Sequence, residues 1–282
     1  MSELEKIQLG EVNGNAIFAH VLAPKIVGSW VLVVHGLGEF GTLYQNYFKQ
    51  LPDTDRVGKI FLDLPGHGSS GGKAGDIRKF REFELAVGMA IDEGFKRFQI
   101  RGVIVGHSLG ALVTLSYLWK KRPSRLKAAF VLSPWLNLVS QLPWWQRGLI
   151  RAVFFLRPSF VVKRTLNGSE PRQELMGPNK GHNRISVRLF LLSAWRGDRL
   201  ARLIKRFTIP VHFYHGKNDE LTSAESTAKF QAKLESPSSL QLLNTSVHEL
   251  LESNFREEIL NHLSEILSSQ IEPSTGAETT EI

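Results

Sequence analysis

Apolar residues along this chain fall into short, nearly unbroken runs. Between the runs lie longer segments in which apolar positions recur every three or four residues. "SWVLVVHG" (29–36), "RVGKIFLDLPG" (56–66), "FQIRGVIVGHS" (98–108), "KAAFVLSP" (127–134), "PVHFYHG" (210–216) and "SLQLLN" (239–244) have strand length and β-branched content. The near absence of alternation in the central runs is what parallel strands covered on both faces require. "KFREFELAVGMAIDEGFKRF" (79–98) and "SAESTAKFQAKLE" (223–235) carry one apolar face at helical spacing, and "FREEILNHLSEILSSQ" (255–270) predicts a closing helix. Strands alternating with helices predict a doubly wound α/β sheet.

One stretch breaks the rhythm. From Pro134 to Ile185 no strand stands out, and Trp135, Trp144 and Trp145 crowd its first part. It is expected to be an insertion lying over the strand ends. The predicted organisation is a core formed by residues 1–135 and 186–267, a cap insertion at 136–185, and a polar, disordered tail at 268–282.

Composition narrows the chemistry. The chain of 282 residues is 42% hydrophobic and 22% charged, enough apolar content for one large buried core. It has no cysteine, which excludes disulfides, thiolate metal ligands and a cysteine nucleophile. The amino terminus has no signal-peptide pattern, and "LPWWQRGLIRAVFFLRPSFVV" (142–162) is broken by Arg147, Arg151 and Arg157, against a spanning helix. A cytoplasmic protein, peripheral on membranes at most, is the expectation. The net charge of +8 is spread along the chain without a nucleic-acid-binding module, so acidic lipid surfaces and anionic substrates are the better use of it.

Candidate chemistry starts at "VGHSLGAL" (105–112), where a predicted strand hands over to a helix. Gly106 and Gly110 bracket Ser108 at the spacing of a nucleophile elbow, a tight turn that lifts a serine hydroxyl above the sheet. A serine beside glycines also caps ordinary helices, so the elbow needs partners. Of nine histidines, His248 follows the last predicted strand and leads into the closing helix, the place for a loop-borne base. His107 adjoins Ser108, where neighbouring side chains diverge; His35 and His67 stand in glycine-rich turns; His215 ends a strand; His182 and His262 lie in the insertion and the closing helix. For the acid, Asp219 comes directly after the strand "PVHFYHG", whereas Asp198 among arginines at a predicted helix start is explained by capping or ion pairing. Glu220 alternates away from the same point.

The order Ser108, Asp219, His248 is that of α/β-hydrolases. The chain resembles their monoglyceride lipase and lysophospholipase branch (serine aminopeptidase S33-type hydrolases) through "HGLGEF" (35–40), "DLPGHGSS" (63–70), "GHSLGA" (106–111), "LSPW" (132–135), "HGKNDELT" (215–222) and "VHELLES" (247–253). The resemblance implies an α/β-hydrolase fold and a serine ester hydrolase that works without metal or cofactor. It also implies an oxyanion hole made by the main-chain N–H groups of Leu37 and Leu109, with Glu39 shaping the loop after the first strong strand. Asp63, Gly66, His67 and Gly68 are expected to organise a turn. Phe40 and Ala111 depart from residues common in the branch and leave the substrate open.

By the same resemblance the insertion is a cap. Trp135, Trp144, Trp145, Phe154 and Phe155 are its candidate substrate-binding residues, as an apolar acyl pocket or a face that dips into lipid with arginines at head-group level. For any one of them, packing of cap onto core is the plainer role. The expected substrate is a single-chain lipid ester, a monoacylglycerol or lysophospholipid. A short-chain esterase or thioesterase, an acyltransferase and a non-catalytic binding module are the alternatives.

Overall fold

Alternation inside the apolar runs decides how the sheet is covered, because successive side chains of a strand point to opposite faces. The computed structural model describes residues 3–121, 124–139, 144–163, 181–202 and 206–269. Its strands are β1 (Glu5–Val12), β2 (Asn15–Leu22), β3 (Ser29–Val34), β4 (Val57–Leu62), β5 (Gly102–His107), β6 (Leu126–Leu132), β7 (Val161–Lys163), β8 (Arg184–Ser186), β9 (Val211–Gly216) and β10 (Ser238–Leu243). Its helices are α1 (Gln45–Phe48), α2 (Arg81–Phe98), α3 (Leu109–Lys121), α4 (Trp144–Leu156), α5 (Val187–Arg202), α6 (Ala224–Gln231) and α7 (Arg256–Ser268).

Eight strands form one sheet in the order β1-β2-β4-β3-β5-β6-β9-β10. The first two pairings are antiparallel and all later ones parallel. Leu32, Val34, Ile104, Val131 and Phe213 bury one face with Phe83, Val87 and Ile91 of α2 and Leu112 and Leu115 of α3. Val31, Val33, Val105, Phe130 and Tyr214 bury the other with Phe48 of α1 and Ile259, Leu260 and Leu263 of α7. This is the α/β-hydrolase architecture, a mostly parallel sheet with helices on both faces.

The differences from the predicted elements are local. The hairpin β1–β2 carries weaker apolar runs and was not anticipated, although its turn residues Asn13 and Gly14 both have positive φ, 52° and 75°, the geometry that Asn-Gly turns favour. The stretch expected to lack strands contains β7 and β8, three residues each, paired antiparallel from Val161↔Ser186 to Lys163↔Arg184. Strands this short hold no periodic signal. Asp198 lies well inside α5 rather than at a helix start, and pairs with Arg202 one turn on at 3.8 Å. Much of the predicted insertion and the tail beyond Ser269 fall outside the described residues, so the predicted boundaries stay expectations.

Segment 182–188 packs onto two loops at the sheet's carboxyl edge. His182 N donates to Gly38 O at 2.8 Å and Ser186 N to Gly75 O at 2.8 Å. Asp76 accepts from Ser186 Oγ at 2.6 Å and from Arg188 Nη2 at 2.7 Å.

Candidate active site

β5 delivers Ser108 to the carboxyl edge of the sheet. Ser108 has φ of 51°, a left-handed conformation that costs a non-glycine residue energy and persists only where surroundings enforce it. They do: Ser108 N donates to Leu132 O at 2.9 Å, and Ser108 O accepts from Leu112 N and Trp135 N at 3.1 and 3.2 Å. A Cβ on Gly110 would sit 2.2 Å from Val34 O, and one on Gly106 would sit 2.6 Å from Thr114 Oγ1. Helix and strands therefore approach at a distance only glycine permits.

Asp219 follows β9 and His248 follows β10, so both reach the same edge. His248 Nε2 lies 3.0 Å from Ser108 Oγ and its Nδ1 lies 2.7 Å from Asp219 Oδ2. Asp219 Oδ1 also accepts from the amides of Leu221 and Thr222 at 2.8 and 3.0 Å, and its Oδ2 from the Thr222 hydroxyl at 3.0 Å. Burial alone would push this carboxyl up. Hydrogen bonds from His215 and His248, with the backbone of Thr222, outweigh it and hold the group well below the ordinary carboxylate range. For His248 burial wins over the pull of Asp219 and lowers the imidazole below its ordinary value, which keeps it an unprotonated base at neutral pH.

The chain meets a family model described as serine aminopeptidase, S33, over residues 27–254. It belongs to that family. A Dictyostelium discoideum abhydrolase-domain protein is 23% identical over 254 residues, and Bacillus subtilis phospholipase YtpA is 28% identical over 108 residues. These stretches cover 86% and 38% of this chain but only 26% and 41% of the two relatives. Among solved structures, the monoacylglycerol lipase of Paleococcus ferrophilus superposes with a TM-score of 0.73 at 23% identity, covering 89% of this chain and 98% of that one. A soluble variant of Saccharomyces cerevisiae monoglyceride lipase, in complex with a substrate analog, gives 0.77 at 18% identity and covers 94% of each. This S33 chain is thus an α/β hydrolase in fold.

The loop after β3 lies beside the elbow, where a Cβ on Gly110 would sit 2.4 Å from His35 O. Glu39 Oε2 accepts from Gly36 N at 2.7 Å and from the Tyr44 hydroxyl at 2.6 Å, which braces the loop carrying Leu37. The Leu37 amide donates to no backbone carbonyl among the described residues, and Leu109 opens α3, so its N–H has no partner within the helix. Asp63 holds its turn by accepting from Gly41 N at 2.7 Å and Ser69 N at 2.8 Å.

The aromatic candidates divide. Trp135 is buried and its ring packs on Phe190 at 6.1 Å. Phe154 meets Phe155 and Trp195 edge-on at 5.7 and 5.4 Å, while Phe155 itself is 81% exposed and Trp145 55%. No ring contact joins Trp135 to the Phe154 group among the described residues, and the Trp144 side chain lies outside them.

Three neighbours of the site escaped the sequence reading. His215 does end β9, as expected, and its Nε2 also lies 3.3 Å from Asp219 Oδ2; the four-residue spacing in "HGKND" is the sequence signal for that contact. His107 does point away from Ser108, but toward Tyr44, at 2.8 Å from its hydroxyl, and toward the carbonyl of His248, at 3.3 Å. Tyr44 had no signal beyond lying close after "HGLGEF". Among the described residues no three His, Asp or Glu are placed to hold a metal ion, and no helix is long and apolar enough to cross a membrane.

Proposed function

We propose that the protein is a serine hydrolase that cleaves carboxylic esters of single-chain lipids, monoacylglycerols or lysophospholipids, through an acyl-serine intermediate. The observation that carries this reading is the 3.0 Å contact between Ser108 Oγ and His248 Nε2, with Asp219 on the far nitrogen. His248 takes the proton of Ser108 as the hydroxyl attacks the ester carbonyl, and Asp219 steadies the imidazolium. The carbonyl oxygen becomes an alkoxide facing the N–H groups of Leu37 and Leu109, a role worth about 10²–10³ in kcat for one such donor. His248 then protonates the leaving alcohol. Water, deprotonated by the same imidazole, releases the acyl group.

Support for a lipid substrate comes from the surface. Phe155 and Leu156 are 81% and 82% exposed, Phe160 and Val162 are about half so, and Arg151 and Arg157 are exposed beside them. Apolar side chains flanked by arginines suit an anionic membrane surface, where the chains enter the acyl boundary and the guanidinium groups meet phosphate. In this reading residues 136–185 form a cap that touches membrane transiently from the cytoplasmic side, and Trp135, Trp144, Trp145, Phe154 and Phe155 contribute to acyl binding.

Product analysis with monoacylglycerols and lysophospholipids in parallel, with Ser108→Ala as control, tests the proposal. Release of long-chain fatty acid by the native protein alone supports it. Turnover confined to short-chain esters or thioesters replaces the lipid with the alternative substrate class, and acyl transfer to an added alcohol in preference to water marks an acyltransferase.

A further inference from the structure

Behind the candidate triad, Glu39, Tyr44 and His107 form a buried chain that ends on the carbonyl oxygen of His248. Glu39 Oε2 is 2.6 Å from the Tyr44 oxygen, that oxygen is 2.8 Å from His107 Nδ1, and His107 Nε2 is 3.3 Å from His248 O. The three residues are between 3% and 4% exposed. Each of these contacts needs one proton between its two heavy atoms. A phenol supplies one, a neutral imidazole one and a carboxylate none. Two protons cannot fill three contacts, so the ordinary ionisation states would press one acceptor against another in the interior, where unsatisfied groups are most costly.

We propose that the Glu39–Tyr44–His107 chain holds a third proton at neutral pH and through it positions the loop that carries His248. Two arrangements satisfy all three contacts. In one, a protonated Glu39 donates to the Tyr44 oxygen, Tyr44 donates to His107 Nδ1, and His107 Nε2–H donates to His248 O. In the other, a doubly protonated His107 donates to both Tyr44 and His248 O, and Tyr44 donates to a Glu39 carboxylate. Either way no acceptor faces another, whereas removing the third proton leaves one of the three buried contacts without a hydrogen.

Burial lowers the proton affinity of His107, while Glu249, the carbonyl of His248, Asp219 and Glu252 raise it. Burial also pushes the Tyr44 phenol well above its ordinary range, helped by Glu249, the neighbouring Tyr47 and Glu252, so Tyr44 keeps its own proton. Because Glu39 also accepts from Gly36 N, the chain fastens the loop bearing Leu37 to the loop bearing His248. The positioning role rests on the hydrolase reading; the proton count does not.

NMR of the full chain at neutral pH, with 15N-histidine and 13C-carboxyl-glutamate labels, decides the count, His107 and Glu39 being assigned through His107→Gln and Glu39→Gln. A protonated His107 Nε2 together with either a Glu39 carboxylic acid or a second proton on Nδ1 supports the proposal. A Glu39 carboxylate beside a singly protonated His107 overturns it. For the positioning role, Tyr44→Phe is expected to lower kcat on a small ester about 10- to 100-fold with KM nearly unchanged, and to slow fluorophosphonate labelling of Ser108 in parallel. A folded Tyr44→Phe protein with unchanged kcat and labelling overturns that role. Failure of the native protein to label at all removes the role together with the hydrolase reading, while the spectra still decide the proton count.

Discussion

Asp219 Oδ2 lies 2.7 Å from Nδ1 of His248, and that contact determines which imidazole nitrogen faces Ser108. An anionic carboxylate there requires a proton on Nδ1, which leaves Nε2 free to accept one from the serine hydroxyl. Asp219→Asn presents an amide that can donate to Nδ1 and so favours the wrong tautomer. It is expected to lower kcat by roughly 10⁴-fold with little change in KM. Steady-state kinetics on a small ester, with circular dichroism to confirm folding, measures it.

The pH dependence follows from the same imidazole. In the proposed mechanism His248 works as a base only when unprotonated, and burial places it below the ordinary value of 6.5. The acid limb of kcat/KM is therefore expected to bend at a pH below 6.5, with activity retained down to that point. A rate profile on an ester that does not itself titrate gives the apparent value.

Acid stability is linked to the other buried histidines. His35 and His67 are both held below 6.5 by burial, so the unfolded chain binds their protons at a higher pH than the folded one does. Stability is then full above the unfolded value and falls as pH drops below it. Urea unfolding as a function of pH is expected to show the midpoint declining below 6.5 and nearly flat just above it.

Gly110 tests the elbow's close packing. A methyl group there meets two main-chain carbonyls, of Val34 and His35, at 2.2 and 2.4 Å, and neither can move without distorting β3 or its exit loop. Gly110→Ala is expected to destabilise the fold by about 1–3 kcal/mol or more, read from denaturant midpoints, and to lower Ser108 labelling even where the protein stays folded.

The surface proposed to meet lipid makes a separate prediction. Leu156 and Phe160 are exposed, so replacing both with serine leaves the core intact and the thermal midpoint nearly unchanged. Flotation with vesicles containing anionic phospholipid is expected to show binding by the native chain and loss of it in the double variant.

Much of this was legible in the sequence, for physical reasons that also mark where legibility ended. β3 and β5 are buried on both faces, so their apolar runs announced them; β1 carries Glu5, Lys6 and Glu11 exposed and β2 alternates buried Ile17, Ala19 and Val21 with half-buried Phe18 and His20, so neither makes an unbroken apolar run. Ser108 was readable because the elbow imposes Gly106 and Gly110 as local spacing, and Asp219 and His248 because strand ends supply the right positions. Tyr44 and the inward course of His107 were not readable, since the contacts between Tyr44 and His107 and between His107 and His248 join segments far apart in the chain, whereas His215 left only its four-residue spacing to Asp219. The aromatic cluster was visible as composition only: Trp135 turned into the core and Phe155 outward, a choice made by the packing of α4 and α5 that spacing does not encode.

The most direct test of the central claim is intact-protein and peptide mass spectrometry after reaction with a fluorophosphonate. The account predicts one equivalent of adduct, on Ser108, with the rate falling as His248 is protonated and no adduct in Ser108→Ala. A folded native protein that stays unmodified, or that carries its adduct at another residue, would contradict it.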